Sequence, residues 1–199
     1  MSVDTQRARR AQVRRVTKET DITVSLDLDG SGQSEIATGL PFLDHMLTAL
    51  CLHSRMDLAL AAKGDLEVDD HHTVEDCALA LGQALSEALG NRDSVSRFAH
   101  AYAPLDEALC RAVVDLSGRP YAVIRVPFRR EMLGAVATEN LVHFLESLAV
   151  AARMALHVDL LRGDNEHHKA EAAFKALALA LRAAVQVDGS GVPSTKGVL

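Results

Sequence analysis

Apolar and polar positions alternate strictly in the first part of the chain. From Val13 to Leu28 the apolar residues Val16, Ile22, Val24, Leu26 and Leu28 fall at a period of two, which predicts one half-buried strand. Asp29-Gly30-Ser31-Gly32 reads as a turn, and residues 33–38 resume an extended segment. From Pro41 to His53 the period becomes helical, with proline tolerated in a first turn. Met56 to Ala62 predicts a strand closed by Lys63-Gly64-Asp65, and the helix after it stops at Gly90-Asn91. A second series repeats the first. Strands at Ala108–Leu116 and Tyr121–Phe128 meet at Ser117-Gly118-Arg119-Pro120, and a helix at Thr138–Arg153 takes Thr138 or a neighbour as its N-cap. A strand at Ala155–Leu161 ends at Arg162-Gly163-Asp164, and a last helix runs from about Asn165 to Val185. Strands with helices on one face predict an α+β two-layer sandwich, built by internal duplication of a strand-strand-helix-strand-helix unit. Its halves span about 12–92 and 102–187, and residues 188–199 carry loop signals throughout.

Composition narrows the class. At 199 residues the chain, 1–199, makes a single domain of two pseudo-symmetric halves with room for a real core. Hydrophobic residues are 48% and aromatics 4%, with no Trp, so Ala, Leu and Val must fill that core. A net charge of −6 argues against a nucleic-acid partner. Cys51, Cys77 and Cys110 are an odd number in apolar runs and read as buried thiols of a reducing compartment. No uninterrupted apolar run is long enough for a membrane span and no signal-peptide core is present, so a soluble cytoplasmic enzyme is expected. The opening segment carries Arg7, Arg9, Arg10, Arg14 and Arg15 and reads as a frayed terminus.

Chemistry enters with a motif written twice. His71-His72-Thr73-Val74-Glu75 and His167-His168-Lys169-Ala170-Glu171 are both His-His-x-x-Glu, at a constant offset of 96 (167 − 71). Each opens a predicted helix, where residues i and i+4 share a face, so His71 with Glu75 and His167 with Glu171 can each grip one cation. The adjacent His72 and His168 point about 100° away and need a different ion. His45 and His143 precede the two motifs within amphipathic segments, 98 apart (143 − 45). Six of the nine histidines thus fall on a twofold repeat. The geometry suggests two sites of three His and one Glu: His71, Glu75, His143 and His168 for one, His45, His72, His167 and Glu171 for the other. Imidazole and carboxylate donors suit Mn, Fe, Co, Ni or Zn, and four protein ligands leave positions open on an octahedral ion for substrate.

Phe42-Leu43-Asp44-His45-Met46, the segments around both His-His motifs and the closing Pro193-Ser194-Thr195-Lys196-Gly197 closely resemble the imidazoleglycerol-phosphate dehydratase family, over nearly the whole chain. The resemblance implies a monofunctional form that dehydrates imidazoleglycerol phosphate to imidazoleacetol phosphate in histidine biosynthesis. It implies two Mn²⁺ per active site and a 24-subunit homo-oligomer whose metal sites lie between subunits. Its ligand sets fall on the two groups drawn above. The family's phosphate-binding positions match His53, Arg97, Arg119, Lys175, Ser194 and Lys196, with Thr195 alongside, so residues 188–199 become an active-site loop. The resemblance also sets His45, His71, His72, Glu75, His167, His168 and Glu171 against the substrate, and Glu19 matches a loop glutamate with an active-site role.

The chemistry fits such metals. The carbinol proton to be removed is not acidic, but the ring can expel the hydroxyl if it is ionised to imidazolate, which two cations would stabilise. Glu19 is the candidate base for the proton that then becomes acidic, with Glu171 the alternative. Two rival readings remain: a dinuclear metal hydrolase, which normally uses more carboxylate ligands and would act on generic phosphoesters, and a metal-storage or structural assembly, which would not need the basic set or the Ser-Thr-Lys tail.

Overall fold

The computed structural model of the protein describes residues 8–189, 191 and 194–197. In chain order it forms β1 (Arg10–Val16), β2 (Thr20–Asp27), β3 (Ser34–Ala37), α1 (Pro41–Ser54), β4 (Asp57–Gly64), α2 (His71–Leu89), β5 (Phe98–Leu105) and β6 (Ala108–Asp115). β7 (Tyr121–Arg125), β8 (Met132–Leu133), β9 (Val136–Ala137), α3 (Thr138–Ala151), β10 (Ala155–Arg162) and α4 (Glu166–Ala184) follow. Two four-stranded sheets, ordered β1-β2-β4-β3 and β5-β6-β10-β7, carry the two halves. In each, the final pair is parallel and the others antiparallel.

Each half is the two-layer α+β unit that the pattern predicts, with one strand more. The run from Val13 to Leu28 is not one strand but a hairpin: β1 pairs with β2 from Arg10↔Asp27 to Val16↔Asp21. The Thr17 hydroxyl accepts the N–H groups of Glu19 and Thr20 and closes the turn. The parity of the apolar positions slips there. Ala11 and Val13 face inward in the first arm, Ile22, Val24 and Leu26 in the second, while Val16 is 60% exposed. β5 lies ahead of the second half's expected start because its inward residues are the small Ala99, Ala101 and Ala103, and the large Phe98 and Tyr102 face out. The unit is therefore three strands, helix, strand, helix.

One smaller expectation is corrected. The arginines from Arg9 onward do not fray: Arg10 pairs with Asp27 at 2.7 Å, Arg14 with Asp21 at 2.8 Å, Arg15 with Asp76 at 2.6 Å, and Arg9 with Asp29. Arg7 lies outside the described residues. The cap of α3 is Ala137, the neighbour of Thr138, whose hydroxyl donates to the Arg130 carbonyl at 2.8 Å and ties down the β8–β9 hairpin. Val187 bridges Val95 and the Ser94 N–H donates to the Gly191 carbonyl, while the described residues of 188–199 form no helix or strand, as expected. As expected, all three cysteines are free and buried, and burial pushes the Cys77 and Cys110 thiols up to about 12. No described helix is long and apolar enough to cross a membrane.

The halves meet through their helices. α1 and α2 lie on the first sheet, α3 and α4 on the second, and contact runs crosswise, α1 with α4 and α2 with α3. Small residues make this possible. A Cβ at Gly82 of α2 would stand 2.6 Å from Ala151 Cβ and 2.8 Å from the Leu148 carbonyl of α3. The crosswise pairing matters for chemistry, because α1 and α3 each carry one of the upstream histidines to the opposite half's motif.

Gly82→Ala tests this packing. Alanine is favoured in a helix by about 1 kcal/mol, but overpacking against backbone costs about 1–3 kcal/mol. The variant should melt below the wild type; a higher melting temperature would show that α2 and α3 have room to separate.

Candidate metal centre

At the start of α4, His167 and Glu171 lie one turn apart on one face, and α1 brings His45 to them. Glu171 Oε2 is 3.0 Å from His45 Nε2 and 3.2 Å from His167 Nε2. The twin cluster joins α2 to α3. His143 Nε2 is 3.2 Å from Glu75 Oε1, His71 Nε2 is 3.8 Å from Glu75 Oε2, and the two rings stack with centroids 5.0 Å apart. In each trio the candidate donor atoms all lie within 4.8 Å of one another. Ligands bound at about 2.0–2.2 Å sit roughly 3 Å apart around one ion, so a small contraction closes either trio on a cation.

Hydrogen bonds set the donor atoms. Asp70 is an acceptor only, and it takes the Asn140 side-chain N–H at 2.9 Å and the Ala137 N–H at 2.8 Å. Asn140 Oδ1 must then face His71 Nδ1, 3.0 Å away, so that nitrogen carries the proton and Nε2 presents its lone pair to the trio. At α4, Asn165 caps the helix by accepting the His167 and His168 N–H groups. Lys175 sits 2.5 Å from Glu171 Oε1. Burial alone would raise the Glu171 carboxyl, but hydrogen bonds from Lys175 and His45, the Lys175 charge and His167 outweigh it and hold it at about 2. His53 belongs to this neighbourhood: burial lowers its pKa, Lys175 lowers it further, and Glu171 opposes both.

The fourth members expected at each site are elsewhere. His168 does not join His71, Glu75 and His143, nor does His72 join His45, His167 and Glu171. Both rings are turned outward by the helical offset. His72 Nδ1 lies 3.1 Å from Asp65, and His168 Nδ1 lies 2.7 Å from Glu107. Those hydrogen bonds raise both histidines' pKa values, against some desolvation. The Asn165 N–H, His168 and the Asp164 N–H hold Glu107 at about 2. Glu19, in the β1–β2 turn, is half-exposed with Oε2 3.9 Å from His72 Nδ1.

The remaining residues lie at the far end of the fold. The Arg97 N–H donates to the Ala184 carbonyl at the end of α4, and its buried guanidinium pairs with Asp115 at 2.7 Å. From His168 to Ala184 is 16 residues of helix, about 24 Å. Arg119 is exposed in the turn after β6, at the same end as Asp115. Ser194, Thr195 and Lys196 form a surface turn closed by the Gly197 N–H on the Ser194 carbonyl. The sequence reading missed Asp65, Asp70, Glu107 and Asn140. Only Glu107 left a signal, standing 88 residues from Glu19 (107 − 19), the spacing that also relates β1 to β5 (98 − 10).

The model of the imidazoleglycerol-phosphate dehydratase family matches residues 38–181. The chain belongs to that family. An imidazoleglycerol-phosphate dehydratase of Chlorobium chlorochromatii is 53% identical over 194 residues, covering 98% of this chain and 99% of its own. One from Methanothermobacter thermautotrophicus is 55% identical over 191 residues, 96% of this chain and 98% of its own. A relative from Phytophthora nicotianae is 58% identical over 96% of this chain, which spans only 42% of that protein. The crystal structure of the Pyrococcus furiosus enzyme, solved in complex with (S)-C348, superposes with a TM-score of 0.82 at 41% identity, over 94% of this chain and all of that one. The Staphylococcus aureus structure gives 0.81 at 38% identity, over 89% of this chain and 99% of that one.

A divalent cation offered to these side chains would have to compete with protons on imidazole. With no ion bound, His72 and His168 keep their protons to higher pH than free histidine, whereas Glu171 stays ionised. Mn²⁺ affinity should therefore fall as pH drops from about 8 to 5. Titrations across that range should show proton release on binding; a flat profile would remove the histidines from the coordination sphere.

Proposed function

We propose that this chain dehydrates imidazoleglycerol phosphate to imidazoleacetol phosphate, a carbon–oxygen lyase step of histidine biosynthesis, in active sites shared between copies in a homo-oligomer. The observation that carries the reading is the pair of matched His₂Glu trios, each on the same helix start as a histidine turned away from it. His45, His167 and Glu171 would hold one divalent ion, Mn²⁺ in the first place, and His71, Glu75 and His143 the other. His72 and His168 of neighbouring copies supply the fourth ligands, His72 to the first and His168 to the second. Bound there, the two cations would stabilise the imidazolate form of the substrate's ring, whose electrons expel the hydroxide.

The chain's own groups do the rest. Glu19, half-exposed beside His72, takes the proton of the neighbouring carbinol carbon on its carboxylate, a proton that becomes acidic once hydroxide has left and the ring system is electron-poor. Lys175 and His53 neighbour the Glu171 trio on the side of the substrate chain. Arg97, Arg119, Ser194, Thr195 and Lys196 hold the phosphate, converting binding energy remote from the reacting carbons into orientation. Arg97 is tied to the end of α4 at Ala184, roughly 24 Å of helix from His168, more than the length of one phosphorylated imidazole. That supports phosphate contacts from a second copy, and the family resemblance extends this to a 24-subunit shell.

Two measurements test the proposal. Chelated protein should lose turnover of imidazoleglycerol phosphate and regain it on adding Mn²⁺; turnover unaffected by chelation would remove the metal from the mechanism. Arg119→Ala and Glu171→Gln should each be nearly inactive alone. Oligomers reassembled from an equal mixture should recover up to about a quarter of wild-type activity, because that share of sites then draws both intact parts from different copies. A mixture as inactive as its parents would place both residues in one chain's site.

A further inference from the structure

We infer that Asp65 and Glu107 are positioning residues that hold His72 and His168 with Nε2 aimed away from their own chain's trios, and that this division of labour leaves the Glu19 carboxylate free for substrate. The inference rests on the reading above, in which His72 and His168 are metal ligands of neighbouring copies.

The hydrogen bonds carry it. An ionised carboxylate only accepts, so His168 Nδ1, 2.7 Å from Glu107 Oε2, bears the proton and leaves the Nε2 lone pair to an outside ion. Glu107 cannot swing away, because its other oxygen accepts the N–H groups of Asp164 at 3.1 Å and Asn165 at 2.8 Å. Those backbone groups belong to the turn that leads into α4, and Asn165 also caps the helix bearing His168. Carboxylate, turn and imidazole are thus one rigid unit. For His72 the same role falls to the loop after β4, where Asp65 meets Nδ1 with both oxygens at 3.1 and 3.2 Å.

The internal repeat shows what this substitution of roles achieves. Glu19 immediately precedes β2 and Glu107 immediately precedes β6, so they occupy one position in the two halves. Glu107 is committed to its histidine and to two backbone amides. Glu19 stands 3.9 Å from His72, beyond hydrogen-bond reach, with a side chain 52% exposed, because Asp65 already occupies Nδ1. Duplication supplied two equivalent turn carboxylates; the Asp65 contact released one of them from orienting work.

Glu107→Gln tests the assignment in the assembled, Mn²⁺-loaded protein. Glutamine is isosteric, and its oxygen can still accept the Asp164 and Asn165 N–H groups. Its amide then turns N–H toward His168 Nδ1 and favours the tautomer protonated at Nε2, which cannot ligate. Mn²⁺ titration and anomalous diffraction should show a loss of about 10- to 100-fold in affinity at the ion of His71, Glu75 and His143 alone. The metal-free protein should keep its fold, because the glutamine oxygen still accepts both backbone N–H groups. Asp65→Asn should weaken the other ion in the same way, and Glu19→Gln should bind both ions as the wild type does. His168→Ala separates the two layers of argument. If it loses one ion while Glu107→Gln keeps both at wild-type affinity, the positioning role is wrong and the metal reading stands. If His168→Ala keeps both ions at wild-type affinity, His168 is not a ligand, and the sharing of that ligand between copies falls and this inference with it. Equal weakening of both ions in Glu107→Gln would reduce Glu107 to a fold contact and overturn the assignment.

Discussion

Adjacent residues on an α-helix are turned about 100° from one another, so a His-His pair cannot deliver both rings to one point. His71 and His167 face the helix packed alongside, where they join a glutamate one turn on; His72 and His168 face outward onto Asp65 and Glu107. Because both halves obey the same constraint, the chain presents two three-donor clusters and two detached imidazoles. Neither cluster can complete a four-ligand site from its own helix. The proposed sharing of sites between copies is the arrangement in which that geometry is used in full.

The clusters exist only because the halves interlock crosswise. His45 reaches the Glu171 trio from the other half of the chain, and His143 reaches the Glu75 trio likewise. Such close helix contact needs thin surfaces, which the alanine-rich, nearly aromatic-free composition and Gly82 provide. The twins are not electrostatically alike. Glu171 carries Lys175 one turn further on, whereas the corresponding neighbour of Glu75 is Leu79. In its place the Glu75 cluster has the Asp70–Asn140–His71 chain, which fixes one ring's tautomer. Duplication set the frame, and each half then acquired its own supporting contacts.

Much of this was written in local pattern. The doubled His-His-x-x-Glu motif, its offset and the helical i, i+4 rule were enough to pair His71 with Glu75 and His167 with Glu171, because those relations depend only on residue spacing along a helix. Helix positions, the α+β class and the twofold repeat followed from periodicity in the same way. The β1–β2 hairpin was legible too, in the parity change between Val13 and Ile22, whereas β5 was masked by the alanines on its buried face.

What spacing does not encode is which groups distant in the chain come together. Glu107 meets His168 across 61 residues and Asn140 meets His71 across 69, through loops whose paths are set by sheet register and helix crossing. The same applies to the arginines after Arg9, which as a string of charges look like a free end but find partners on β2 and α2. The separation of Arg97 from the trios, on which the reading of a shared site depends, appears only when α4 is laid out at its full length. Sequence determined which side chains can ligate and in what local pairs, since backbone geometry alone dictates that. Tertiary packing decided which pairs meet, what fixes their tautomers and what is left facing outward, since those contacts exist only once two sheets have closed over four helices.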